Sequence, residues 1–308
     1  MKKIILIIAV GVSLLTGFLF FHFGIEPEVL IEKYAQPESK FIEIDGQKVH
    51  YRETGKGKPL ILLHGVSSSL LTWNGWHKEL SKDFRVISVD LPAFAITGPF
   101  PNDDYSFNHY LEFLEKFMDK LGIEKTYMAG NSFGGNLTWR FAHKNPNRVI
   151  KIAILDASGL KKNKNSLAFF LSSTPGISIL SHYFTPKFMV EKSVKDFYGD
   201  PSKVTDSLVT TYYELLLRKG NRQAFTKVLN QFDENELKKI PTILSEIKTP
   251  TLILWGEKDP RYFPEVAKKF HKYIPNAKLI IYPNVGHMPM EENPIQSAKD
   301  FRKFVLEE

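Results

Sequence analysis

After an opening apolar run, hydrophobic and polar positions along this chain follow two rhythms. From Ile4 to about Gly24 the sequence is almost continuously apolar, interrupted only by Ser13, Thr16 and His22. From Phe41 onward, short apolar runs bounded by turn residues predict strands near 41–45, 48–53, 59–63, 85–90, 126–130, 150–155, 250–255 and 278–282. Between the later runs the period lengthens. Residues 106–121 place Tyr110, Leu111, Leu114, Phe117, Met118 and Leu121 on one helical stripe, and 262–274 and 294–306 read as further amphipathic helices. Strands that alternate with helices predict an α/β fold. The alternation stops between about Leu160 and Ile240, where four helical segments stand between the sixth and seventh strands. Residues 25–40, with Pro27 and Pro37, read as a short linker.

The opening run matches the roughly 20 residues that a helix needs to cross a bilayer core. It is longer than the 7–15 apolar residues of an ordinary secretory signal and lacks a convincing small-residue cleavage site. Residues 1–24 are therefore expected to be an uncleaved membrane anchor, with secretion after signal cleavage as the competing outcome. Lys2 and Lys3 precede the run, and Glu26 and Glu28 follow it. That asymmetry would keep the N-terminus cytoplasmic and put the remainder on the periplasmic or extracellular side. The absence of cysteine is compatible with an oxidising compartment without requiring one, since a chain this long can bury enough core without disulfides.

The chemistry concentrates at three strand ends. In Gly130-Asn131-Ser132-Phe133-Gly134-Gly135 a serine sits between glycines where an apolar strand should turn into a helix. A turn tight enough to lift the hydroxyl clear of a sheet leaves no room for side chains two residues before or after it, so Gly130 and Gly134 fit the need. Upstream, Leu60-Ile61-Leu62-Leu63-His64-Gly65-Val66 reads as a buried strand ending in a turn and the loop Ser67-Ser68-Ser69. The backbone N–H groups of Val66 and Phe133 are placed to form an oxyanion hole. Downstream, Pro250 to Gly256 delivers Glu257-Lys258-Asp259 to a strand end, and Ala277 to Pro283 precedes Asn284-Val285-Gly286-His287. Histidine titrates near neutrality, so His287 is the natural base for Ser132, with Asp259 orienting its ring.

With these motifs, and with Ser88-Val89-Asp90-Leu91-Pro92 after the fourth strand, the chain from about Phe41 to the C-terminus resembles the α/β-hydrolase fold family. One departure is Ala93-Phe94-Ala95, where family members often carry glycines. The resemblance implies an eight-stranded, mostly parallel sheet flanked by helices. It also implies that residues 41–159 and 241–308 form the core, and that residues 160–240 form a helical cap over the active site. Large apolar groups at Leu167–Leu171, Ile177–Leu180 and Tyr183-Phe184 would then pack the cap's own core or line an acyl or aromatic pocket.

The activity expected is that of a serine hydrolase cleaving carboxylic esters through an acyl-enzyme, of carboxylesterase or lipase type, including monoacylglycerols. Two alternatives stand beside it. One is a carbon–carbon bond hydrolase of ring-cleavage products, whose elbow is similar but whose glycine-rich oxyanion loop is not matched by Gly65-Val66-Ser67-Ser68-Ser69. The other is a non-catalytic small-ligand sensor on the same fold. Asp156, which also ends a strand, is the rival for the acid role. Glu257 reads as a solvated loop charge, and His50, His77, His109, His143, His182 and His271 read as surface or packing residues.

No Cys, His or carboxylate cluster has metal-ligand spacing, so no metal and no cofactor are expected. Net charge is +7, and residues 160–240 carry thirteen Lys and Arg against eight Asp and Glu. This basic segment invites contact with anionic lipid as a partner surface. Nucleic acid is a poor partner, because no basic stripe with interleaved aromatics accompanies the charge.

Overall fold

The structure is a computed structural model that describes residues 24–161, 174, 179, 181–231 and 234–307. All eight expected strands are present: β1 Ser39–Ile44, β2 Gln47–Thr54, β3 Lys58–Leu63, β4 Phe84–Val89, β5 Thr126–Asn131, β6 Val149–Leu155, β7 Thr251–Gly256 and β8 Lys278–Tyr282. They form one sheet in the order β1-β2-β4-β3-β5-β6-β7-β8. β2 runs antiparallel to both β1 and β4, and all other pairs are parallel. The parallel strands are apolar along their length because helices cover both faces of the sheet. Leu60, Leu62, Val86, Ala129 and Leu252 enter one core layer, and Ile61, Leu63, Ile87, Met128 and Ile253 the other.

The helices are α1 Pro27–Tyr34, α2 Asn74–Leu80, α3 Phe107–Lys120, α4 Phe133–Lys144, α5 Lys187–Phe197, α6 Asp206–Leu216, α7 Asn221–Asn230, α8 Glu234–Ser245, α9 Pro264–Tyr273, α10 Pro289–Glu292 and α11 Pro294–Leu306. α3 starts where Ser106 caps it by accepting from the His109 N–H, and its expected stripe is buried from Tyr110 to Met118. α5 to α8 occupy the interval between β6 and β7, where the alternation breaks in sequence. The apolar groups at 167–171, 177–178 and 180 lie outside the described residues.

Part of the expected linker is ordered structure. Pro27 opens α1, a position where its missing N–H costs nothing, and Leu30 and Tyr34 face the core one turn apart. Just before it, Ile25 forms a parallel bridge to the loop after α6, with Ile25 N–H donating to Leu217 O at 2.8 Å and Lys219 N–H to Ile25 O at 2.9 Å. Glu214 on α6 receives Lys33 at 2.7 Å and the Tyr34 hydroxyl at 2.8 Å, and Lys219 pairs with Glu26 at 2.9 Å. The chain therefore enters the fold against the inserted helices. Among the described residues no helix is long and apolar enough to cross a membrane. The expected anchor, apart from Gly24, lies outside the described residues.

Candidate active site

Ser132 sits between the end of β5 and the start of α4 with φ 53° and ψ −112°. Such a backbone costs a non-glycine residue about 1–3 kcal/mol and persists only where the surroundings impose it. Here the Ser132 N–H donates to Leu155 O at 2.9 Å, while its carbonyl accepts from Asn136 and Ser158 N–H, each at 3.0 Å. The glycines are needed for close approach. A Cβ on Gly130 would lie 2.2 Å from Gly134 O, and one on Gly134 would lie 2.2 Å from Leu63 O. Gly65 also lies close, since its Cβ would stand 3.2 Å from Ser132 Cβ. The turn after β3 is thus packed directly on the serine.

The two expected backbone donors belong to the two segments that this packing joins, Phe133 to α4 and Val66 to the turn after β3. Phe133 is the first residue of α4, so its N–H has no intrahelical acceptor and points along the positive end of the helix dipole. Among the described residues the Val66 N–H donates to no protein group. His64 shapes the turn from below, with Nε2 accepting from the Leu91 N–H at 2.9 Å. Complete burial lowers its pKa and keeps the ring neutral. Ala93 and Ala95, which stand where the family often has glycine, adopt φ of 81° and 46°. The loop keeps its left-handed turns despite the side chains.

His287 follows β8 and Asp259 follows β7, and the sheet brings them together. Asp259 Oδ1 accepts from the Arg261 and Tyr262 N–H groups at 2.7 and 3.1 Å, which turns Oδ2 toward His287 Nδ1 at 2.8 Å. The imidazole stacks with the Phe197 ring at 5.3 Å and the Tyr262 ring at 6.0 Å, inclined to it by 28° and 29°. Its backbone is fixed at both ends. The N–H donates to Phe197 O at 2.7 Å, and the carbonyl accepts from Asn131 Nδ2 at 3.0 Å. Asn131 thereby ties the residue before the serine to the residue that would deprotonate it. Among the described residues no hydrogen bond joins the Ser132 hydroxyl to His287; bonds of this kind commonly tighten only in the complex with substrate.

The family model for the alpha/beta hydrolase fold matches residues 58–294, most of the chain and all of this site. The chain belongs to the α/β-hydrolase fold family. Among curated relatives, this hydrolase is 29% identical over 282 residues to a 2-hydroxy-6-oxononadienedioate/2-hydroxy-6-oxononatrienedioate hydrolase of Burkholderia vietnamiensis, covering 87% of this chain and 94% of that one. It is 26% identical over 269 residues to Lipase 1 of Psychrobacter immobilis, covering 84% and 81%. A solved bacterial membrane phospholipase A shares the fold with a TM-score of 0.74 at 20% identity, covering 99% of this chain and 98% of that one.

The hydrolase site contains residues whose part was not legible in sequence. Asp156, the rival acid, does not bond to His287, yet it lies beside Asp259. One donor atom from each of Asp156, Asp259 and His287 falls within 4.8 Å of the others. The 2.8 Å contact between His287 Nδ1 and Asp259 Oδ2 has the length of a hydrogen bond, so these two groups are bonded to each other. Burial first, and then the neighbouring Asp259 charge, push the Asp156 carboxyl well above the usual range.

Glu291 and Glu292, on α10 just after His287, were also missed. Glu291 accepts from the hydroxyls of Tyr198 and Tyr212, the latter at 3.0 Å, and Tyr212 in turn contacts Ser68 Oγ at 3.3 Å. Glu292 accepts from Gly199 and Gly286 N–H, each at 2.8 Å. Two adjacent acids near a chain end look solvated in sequence; only the fold shows tyrosines of the inserted helices reaching them. Beside this point Ser67, Ser68, Phe94, Leu215, Leu216 and Asn221 come together with almost no free space between them, and none of the described residues lining it is charged.

The remaining candidates fall elsewhere. His50 bonds Asp90 at 2.7 Å, His77 bonds Thr54 at 2.7 Å and Ser88 at 2.8 Å, and His143 bonds Glu246 at 2.8 Å. His182 meets Thr226 at 3.3 Å and His109 meets Asn102 at 3.2 Å. Glu257 is an exposed loop residue that accepts from the Asn284 N–H at 3.1 Å.

Proposed function

We propose that this hydrolase cleaves carboxylic esters through an acyl-enzyme on Ser132. His287 takes the serine proton as the hydroxyl attacks the carbonyl carbon, and the oxyanion is received by the Val66 and Phe133 N–H groups. His287 then protonates the departing alcohol. Water, deprotonated by the same histidine, releases the acid and restores Ser132. Asp259 orients the ring throughout. The observation that carries this reading is the 2.8 Å bond from Asp259 to His287, in a residue whose carbonyl is held by the neighbour of a strained serine. Helices α5 to α8 act as the cap, since Phe197 and Tyr212 reach the His287 and Ser68 loops.

The uncharged, mostly apolar residues beside Ser67 and Ser68, among them Phe94, Leu215 and Leu216, favour a neutral acyl or alcohol group, as in a monoacylglycerol. A second reading, carbon–carbon bond hydrolysis of a ring-cleavage product, is favoured by the name of the Burkholderia relative and better supported by the relatives' names than the ester reading. Against it, a dioate carries two carboxylates, and the ionisable side chain bonded to Tyr212 beside Ser68 is itself a carboxyl, Glu291. Residues 1–24 serve as a membrane anchor that leaves the catalytic part on the periplasmic or extracellular face. Protection of that part from protease in spheroplasts would overturn the orientation.

The test of function is turnover of p-nitrophenyl esters from acetate to palmitate, monoacylglycerols and a dienol ketone dioate, with Ser132→Ala as control. Ester hydrolysis that needs Ser132 supports the main reading. Dioate cleavage without ester cleavage supports the second, and turnover that survives Ser132→Ala refutes both.

A further inference from the structure

Asp156 ends β6 and Asp259 follows β7, neighbouring parallel strands paired through Leu155 and Leu254. The Asp156 N–H donates to Leu254 O at 3.1 Å and its Oδ1 accepts from the Gly256 N–H at 3.0 Å, so the side chain is fixed from the strand that carries Asp259. Both carboxyl groups are buried, with 0% and 1% exposure. Two carboxylates at this separation in a buried site do not both ionise, so one of them keeps a proton. The hydrogen bonds decide which. Asp259 receives three donors, the N–H groups of Arg261 and Tyr262 and the Nδ1–H of His287. Asp156 receives one, and its Oδ2 is buried with no donor aimed at it. An oxygen in that position is where a proton belongs.

We propose that Asp156 is a positioning residue of the hydrolytic site: a neutral carboxylic acid whose O–H donates to Asp259 and keeps Asp259 the single anion facing His287. The proposal rests on the Ser132–His287–Asp259 reading. Besides Asp259 and His287, the ionisable groups near Asp156 among the described residues are Glu292 and Tyr282, neither of which brings a positive charge to ionise it. The raised pKa of the Asp156 carboxyl agrees with this geometry. Its effect runs through Asp259. A donated hydrogen bond stabilises the Asp259 anion, so less of its charge is available to hold a proton on His287, and the imidazole stays free as a base to lower pH.

The backbone selects the variants. Asp156 has φ 45°, a conformation that asparagine and glycine adopt at lower cost than alanine. Asp156→Asn keeps a neutral donor, so the acidic limb of the kcat/KM profile should stay in place. Asp156→Gly removes the donor, so the limb should move up by about one pH unit. If Asp156 were ionised, both variants would remove a negative charge near His287 and the limb would move down in each; that result would overturn the proposal.

An infrared difference spectrum of wild type against Asp156→Asn reads the proton directly and needs no activity. A protonated-carboxyl C=O band in wild type at neutral pH is expected, and its absence would also overturn the proposal. Should Ser132→Ala and His287→Ala keep turnover, the parent reading fails. Should they abolish it while the band is missing, only the role of Asp156 fails.

Discussion

Gly134→Ala offers a direct test of how the elbow and the oxyanion turn depend on each other. The new Cβ would lie 2.2 Å from Leu63 O, 2.5 Å from Leu63 C and 2.6 Å from His64 O, all backbone atoms. No rotamer change relieves these contacts. Restoring an ordinary separation requires α4 and the end of β3 to part by about 1 Å, at an overpacking cost of about 1–3 kcal/mol. That is within the stability of a typical domain, so the variant should fold. The movement is applied three residues before Val66, whose N–H is one of the two donors of the proposed oxyanion hole. Losing one such donor costs about 3–4 kcal/mol, a fall in kcat of roughly a hundred- to a thousandfold. The assay is ester turnover alongside thermal unfolding and fluorophosphonate labelling of Ser132. A cooperatively folded variant with wild-type kcat would refute the claim that Gly134 sets the position of Val66.

Two other changes probe the support of the site. Asn131→Ala removes the donor to His287 O at 3.0 Å and the second donor, at 3.2 Å, to Leu155 O, which keeps the Ser132 N–H; it should lower unfolding free energy by about 1–3 kcal/mol and reduce kcat more than it raises KM, and unchanged kinetics would contradict the tether. His77 has a pKa lowered from 6.5 to about 3, by burial and then by the Arg52 charge, so the unfolded chain binds a proton that the folded chain refuses. Its contribution to stability is complete above pH 6.5 and is lost as pH falls toward 3, at about 1.4 kcal/mol per pH unit. Urea unfolding at several pH values should show that extra slope in wild type and not in His77→Gln; equal slopes would mean that His77 does not titrate in this way.

The strands were readable because a parallel sheet covered on both faces writes itself as continuous apolar runs. Leu60 to Leu63 and Leu252 to Trp255 need no neighbour to be recognised. The elbow was readable for a local reason too: Gly130, Ser132 and Gly134 answer a steric demand within five residues. Asp259 and His287 could be named because each directly follows a strand. What the sequence conceals is convergence. Asp156 read as a competitor of Asp259 because a pattern along the chain assigns one role to one residue, whereas adjacent strand ends bring both to the same histidine. Glu291 depends on Tyr198 and Tyr212, about ninety and eighty residues away, and no local period predicts such a meeting. Helix α1 was hidden by its brevity and by two prolines that read as a linker, although Leu30 and Tyr34 carried the one-turn spacing of a packed face.

The bridge at Ile25 has a mechanical meaning. A pull on the chain ahead of residue 24 does not reach the sheet directly; it reaches the loop at Leu217 and Lys219 through two backbone hydrogen bonds, and α6 through Lys33, Tyr34 and Glu214. From α6, Tyr212 passes the load to Ser68, in the turn that carries Val66. Residues 24–34 therefore brace α6 and the loop after it, the same helix whose Tyr212 touches the turn at Ser68.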